Sequence, residues 1–225
     1  MENLKIPSDV QPIEAIKTTA KNPIALLLLA HGAGAGMNHT FMENLATTLA
    51  DFDIEVIRFN FAYMTSGKKF PGSPKATIQT WKDVIDWASV DVDLPIFIGG
   101  KSYGGRMASH ALVENDFQKI YGVLYFGFPL HAPGRDSIKR ADHLAQVTIS
   151  QLFLQGTRDA LANLDRIKHV IKPLKNATLT EIAGGDHSFK VKGAKPQDII
   201  SQLAETAAAW MKSVSEGSPN KKRLI

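Results

Sequence analysis

Short apolar runs alternate along this chain with stretches whose apolar residues recur at helical spacing. Ile13-Glu14-Ala15-Ile16-Lys17-Thr18 alternates apolar and polar, which predicts an edge strand with one wet face. Residues 24–30 are apolar at every position and predict a central strand covered on both sides. Residues 54–61, 96–98, 121–126, 151–155 and 177–182 are further runs of strand length. Between them, Phe41, Leu45 and Leu49 share one helical stripe, within a helix expected over 38–50. Ile78, Trp81, Ile85 and Ala88 form a second stripe, and Ile199, Leu203, Ala207 and Trp210 a third. Shorter helices are expected over 137–144 and 161–171. Residues 63–74 read as a long loop whose last residue, Pro74, suits a first helical turn.

Strand and helix in alternation predict an α/β fold, a doubly wound and mostly parallel sheet of about seven strands. Residues 1–212 are expected to form one domain, and the polar residues 213–225 a loose tail. Sheets of this kind bind ligands at the carboxyl ends of their strands. Four Gly-rich loops follow strands directly here, so all four should open onto one rim.

Composition narrows the partners. A chain of 225 residues buries roughly 70% of its unfolded surface. The net charge of +4 includes Lys221, Lys222 and Arg223 in the tail. No basic run is interleaved with aromatics in the body, so no nucleic-acid partner is expected. The absence of cysteine excludes disulfides, thiol catalysis and Cys-ligated metals. The longest apolar run is too short to span a bilayer, and Met1-Glu2-Asn3-Leu4-Lys5-Ile6-Pro7 does not read as a secretory signal. A cytoplasmic protein acting on a small molecule, away from membranes, is the expectation; the sequence is silent on oligomeric state.

The chemistry concentrates in Gly100-Lys101-Ser102-Tyr103-Gly104, a G-x-S-x-G pentamer between an apolar strand and a helix-forming segment. A strand that reverses into a helix this tightly strains its central residue and lifts the hydroxyl clear. It also brings the two elements so close that the residues two before and two after must be very small, a demand that Gly100 and Gly104 meet. A serine hydroxyl needs a base, and the base needs a group that fixes its tautomer. His187, in the loop Gly184-Gly185-Asp186-His187-Ser188-Phe189 beyond the last strand, is the base candidate among seven histidines. Asp159, in Gly156-Thr157-Arg158-Asp159, is the acid; Asp186 is the competitor. Neighbours in an extended loop point in opposite directions, which disfavours Asp186. The order Ser102, Asp159, His187 is nucleophile, acid, histidine.

A tetrahedral intermediate needs amide donors already aimed at its oxyanion. The N–H of Tyr103 is one, and Ala33 in His31-Gly32-Ala33-Gly34 is the second, with Gly34 as its alternative. A dinucleotide-binding reading of that loop fails. Met37 stands where the last glycine of G-x-G-x-x-G/A belongs, and no acid ends the next strand. This chemistry requires no cofactor and no metal. Tyr63, Met64, Phe128, Leu130 and His131 are expected to line the substrate cleft, with the Tyr103 ring beside them. Arg106 and Arg158, near the site in sequence, are expected to brace loops, with attraction of an anionic substrate as the alternative.

These four loops carry a resemblance. Over roughly residues 13–211 the sequence resembles α/β-hydrolase-superfamily proteins, and is similar to the small lidless branch near dienelactone hydrolases. The resemblance implies a serine hydrolase of esterase type with a Ser-His-Asp triad and no cap, since only residues 127–147 are available where larger relatives insert one. Dienelactone hydrolases themselves use a cysteine nucleophile; Ser102 argues against that reaction. The branch also includes a subunit of a nuclear acetyltransferase complex without evident turnover. A silent binding or scaffold protein is therefore the alternative. Acyl transfer or peroxidase-type chemistry at the same triad is a third reading.

Overall fold

The computed structural model describes residues 1–217 except Val10, Lys69 and Asp91. Among these residues eight strands form one sheet: β1 (Glu2–Ile6), β2 (Ile13–Thr18), β3 (Ala25–Ala30), β4 (Ile54–Phe59), β5 (Ile96–Lys101), β6 (Ile120–Phe126), β7 (Ser150–Gly156) and β8 (Ala177–Ile182). The helices are α1 (Thr40–Asp51), α2 (Ala62–Thr65), α3 (Pro74–Ala88), α4 (Tyr103–Glu114), α5 (Leu164–Ile171) and α6 (Pro196–Gly217), with a 3-10 segment at Lys139–Gln146. The strand order is β1-β2-β4-β3-β5-β6-β7-β8. Strands β3 to β8 run parallel; β1 and β2 are antiparallel to their neighbours.

Period-two alternation along the central strands divides the core in two. Leu26, Leu28, Ile96, Ile98, Val123 and Tyr125 face one layer, where Trp81, Ile85, Met107 and Ile167 of α3, α4 and α5 cover them. Leu27, Leu29, Phe97, Leu124 and Phe126 face the other, covered by Leu45 and Leu49 of α1 and Leu203, Ala207 and Met211 of α6. A strand buried on both faces must be apolar throughout, which is why β3 reads as an unbroken run. Helix starts are set locally. Ser73 caps α3 by accepting from the Lys75 N–H, with Pro74 at its first position. Asn163 caps α5 through the N–H groups of Asp165 and Arg166.

The structure departs from the sequence expectations in four places. The sheet has an additional strand, β1, so β2 is not its edge; Ile6 opposite Ile13 and Leu4 opposite Ala15 zip the first residues onto it. The loop expected over 63–74 begins with the single helical turn α2. The last helix runs to Gly217, so residues 213–217 of the expected tail are helical; the remainder, 218–225, lies outside the described residues. The segment after β6 forms a 3-10 helix over Lys139–Gln146, with Ala141 and Leu144 buried in the core, and no cap stands between β6 and β7. Among the described residues no helix is long and apolar enough to cross a membrane.

After β3 the chain winds to β4 on one side and then to β5 on the other. That reversal opens a crevice at the carboxyl ends of β3 and β5. The loop 31–36 leaves β3 there, and Ser102 leaves β5 beside it.

Candidate active site

Ser102 stands between β5 and α4 with φ 51° and ψ −112°, a left-handed backbone that a non-glycine residue enters at a cost. The packing around it leaves no alternative. A Cβ on Gly100 would lie 2.6 Å from the Gly105 nitrogen and 2.7 Å from the Ala30 oxygen. One on Gly104 would lie 2.5 Å from the His31 oxygen. The turn is pinned by the Ser102 N–H donating to Phe126 O at 3.1 Å and the Arg106 N–H donating to Ser102 O at 3.1 Å.

The three predicted side chains meet at one rim of the sheet. His187 Nε2 lies 2.8 Å from Ser102 Oγ, and His187 Nδ1 lies 2.7 Å from Asp159 Oδ2. The Asp159 side chain is fully buried while that of His187 is 23% exposed. Asp159 also accepts from Gln155 Nε2 at 2.6 Å and from the Leu161 N–H at 2.7 Å. A buried carboxylate is tolerated only when hydrogen-bonded in this way. Asp159 is an acceptor only, so Nδ1 of His187 carries the proton and Nε2 presents its lone pair toward Ser102. The loops that carry Asp159 and His187 touch. A Cβ on Gly156 would fall 2.3 Å from the Gly185 oxygen, and the Arg158 N–H donates to that same oxygen at 2.9 Å. Asp186 does not reach the imidazole. Its Oδ1 accepts from the N–H groups of Ser188 and Lys190, both at 2.8 Å, and closes the turn that carries His187.

Sequence reasoning left three supporting residues unassigned. Lys101, just before the serine, donates from Nζ to the main-chain oxygen of His187 and ties the turn at Ser102 to the loop that carries His187. Its ammonium lies 5.1 Å from the centroid of the Phe189 ring and 5.9 Å from that of Phe41. Burial pulls its pKa down to about 8, against the opposing pull of Asp159 and Asp186. Gln155 holds Asp159 with its amide nitrogen and the Phe128 N–H with its oxygen. His31 is wholly buried. Its Nδ1 lies 2.8 Å from Gly32 O, and its Nε2 accepts from the Phe61 N–H at 3.1 Å. Both contacts suit a neutral ring, and burial lowers its pKa to about 4. It fixes the loop after β3 to the chain after β4.

A cleft of about 310 Å3 opens at Ser102 and His187, lined by Gly32, Ala33, Ala35, Phe41, Met42, Lys101 and Leu161 among others. Ala33 is exposed on this wall. The five residues expected as lining are not on it, and their surroundings explain why. Phe128 and Leu130 are fully buried in the core. His131 is 8% exposed and turns Nδ1 to Ala132 O. Tyr63 stacks on Phe61 and borders a separate hollow with Gln11 and Ser73. Met64 packs beside Gly36, its Cε 3.4 Å from where a Cβ there would stand. The Tyr103 ring also turns inward, its hydroxyl 3.0 Å from Thr77 Oγ1. Arg106 lies over that ring at 5.5 Å, as a brace.

Comparison with known proteins agrees with this architecture. Residues 23–215 match the family model described as "Alpha/beta hydrolase domain". Among solved structures the chain is similar to a dienelactone hydrolase from Anabaena variabilis, at TM-score 0.75 and 17% identity over 94% of this chain and 96% of that one. It is similar to an α/β serine hydrolase without lid from Xanthomonas campestris, at TM-score 0.72 and 17% identity over 93% and 94%. It is also similar to the esterase domain of a Rhodothermus marinus protein, at TM-score 0.72 and 14% identity over 94% and 98%. At such identities the likeness is one of fold. The family match spans most of the sequence, and the chain belongs to the alpha/beta hydrolase domain family.

Proposed function

We propose that the protein is a serine hydrolase that cleaves a carboxylic ester or related acyl bond through an acyl-enzyme. Ser102 Oγ bonds to the acyl carbon as its proton passes to His187 Nε2. Asp159 holds the imidazole and stabilises its cation. The N–H groups of Tyr103 and Ala33 receive the oxyanion; loss of one such donor typically costs about 10²–10³ in rate. The bond to the leaving alcohol then breaks, and His187 gives that alcohol its proton. Water repeats the sequence on the acyl-enzyme, releases the acid and restores Ser102. The observation that carries this reading is the unbroken relay from Ser102 Oγ through His187 to Asp159, at 2.8 and 2.7 Å. Neighbours described as an esterase domain and a dienelactone hydrolase support an ester-type substrate.

A fluorophosphonate tests the proposal directly. The folded protein should take up one adduct, on Ser102, with loss of activity toward 4-nitrophenyl acetate. Folded protein that stays unlabelled and leaves a broad ester panel untouched would overturn it in favour of a silent binding protein.

A further inference from the structure

A second and larger hollow lies beside the cleft. It has a volume of about 540 Å3 and runs between the N-terminal ends of α1 and α6. Sites for small organic molecules typically measure about 300–1,000 Å3. The two hollows share His39, Phe41 and Ser188, so the groove adjoins the space in front of Ser102. Its walls include Phe189, Val191, Ile199 and Ile200; the exposed Lys190 is the one lysine or arginine on it, and among the described residues no aspartate or glutamate lines it. Phe41 and Phe189 stack with centroids 5.9 Å apart and planes 12° apart.

The backbone at Phe189 is specially held. Its φ is 62°, a left-handed conformation that a bulky residue keeps only where its surroundings dictate it. The Asp186 turn does so: the Phe189 N–H donates to Asp186 O and the Asp186 N–H to Lys190 O, beside the two N–H groups its carboxylate accepts. One turn therefore directs the imidazole of His187 to Ser102 and sets the ring of Phe189 into the groove wall.

We propose that this groove receives an uncharged hydrocarbon arm of the substrate while the scissile carbonyl sits at Ser102. The inference rests on the hydrolase reading above and adds the substrate class. The arm belongs either to the acyl group or to the alcohol, and chain-length series separate the two. One series is the 4-nitrophenyl esters from acetate to octanoate. The other is the alkyl acetates from ethyl to octyl. In the wild type kcat/KM should climb along one series by roughly two- to fourfold per methylene. Asn44→Trp and Ala194→Trp, both on the groove wall, should each lower that climb by about tenfold at octyl length. Cleavage of the shortest ester should stay within about twofold. On the unmodified protein, octanoate or octanol should slow fluorophosphonate labelling of Ser102 at concentrations where acetate or ethanol does not. Flat series with intact cleavage of the short esters, or a climb that both tryptophan variants leave in place, would overturn the groove assignment and spare the hydrolase reading. Failure of every ester, together with failure of labelling, would sink both.

Discussion

Two serine–histidine pairs lie along the same helix, and only one has the makings of a catalyst. At the start of α4, Ser102 Oγ sits 2.8 Å from His187 Nε2; two turns on, Ser109 Oγ sits 2.8 Å from His143 Nε2. The distances are equal and the chemistry is opposite. Ser109 is fully buried and donates its hydroxyl hydrogen to Arg106 O at 2.7 Å, so His143 must donate to Ser109 rather than accept from it. The other face of His143 stacks on His110, with centroids 3.7 Å apart, and Arg106 adds positive charge nearby. Among the described residues no carboxylate is ion-paired to it. His187 has Asp159 behind it and a cleft in front. A serine within reach of a histidine is therefore no signature on its own; the third group and the access decide.

The largest effect expected from this contrast comes from deleting each hydroxyl in turn. Ser102→Ala should lower kcat for 4-nitrophenyl acetate by about 10⁶-fold, while Ser109→Ala should leave it within about twofold. Steady-state kinetics on the two folded variants decide it, and equal losses would mean that the fold around α4, rather than a nucleophile, had been measured. Next in size is the removal of the feature that the second pair lacks. Asp159→Asn keeps the shape but allows the amide to donate to Nδ1, which places the imidazole proton on Nε2 and leaves no lone pair there to accept from Ser102. It should cost about 10⁴ in kcat with KM little changed. A loss under tenfold would show that His187 does not depend on the carboxylate for its tautomer.

The same contrast explains what the sequence made legible. The meeting of Ser102, Asp159 and His187 was readable because each sits near glycines just past a strand end, and strand ends in a parallel sheet converge on one rim. Central strands were readable because burial on both faces leaves an unbroken apolar run. β1 was hidden, since of its five residues only Ile6 is fully buried and the alternation barely registers. The cleft walls were misassigned for a different reason. Position past a strand places a residue near the rim but does not set the direction of its side chain. Phe128 turns into the core while Phe41, assigned only as part of a helix stripe, faces the cleft. Gln155 carried a usable signal: a polar residue ending an apolar strand that a buried acid follows needs a partner, and the acid is that partner. Lys101 gave the same kind of signal, a charge inside the glycine-flanked elbow.

The smallest effect concerns acid stability and separates the two pairs without reference to catalysis. Burial first, then His110 and Arg106, lower the pKa of His143 from its ordinary 6.5 to about 4. Burial and Arg106 also lower that of His110. The unfolded chain therefore takes up these protons before the folded one does. Stability from the neutral pair is complete above about pH 6.5 and is lost as pH falls toward 4, below which His143 takes nothing further away. For His143 alone that is roughly 2 kcal/mol by pH 4.5, or about 4–8 °C in Tm for a chain of this size. His31, buried and lowered to about 4, adds a loss of the same sign, so the wild type should show both. His143→Gln can still donate to Ser109 Oγ and cannot titrate. Its melting temperature should fall less than that of the wild type between pH 7 and 4.5, by about the His143 share, while ester cleavage at pH 7 stays unchanged. Equal falls in the two proteins would mean that the stacked pair accepts a proton in place. The lone Ser109–His143 contact would then be as tolerant of charge as the relay at Ser102.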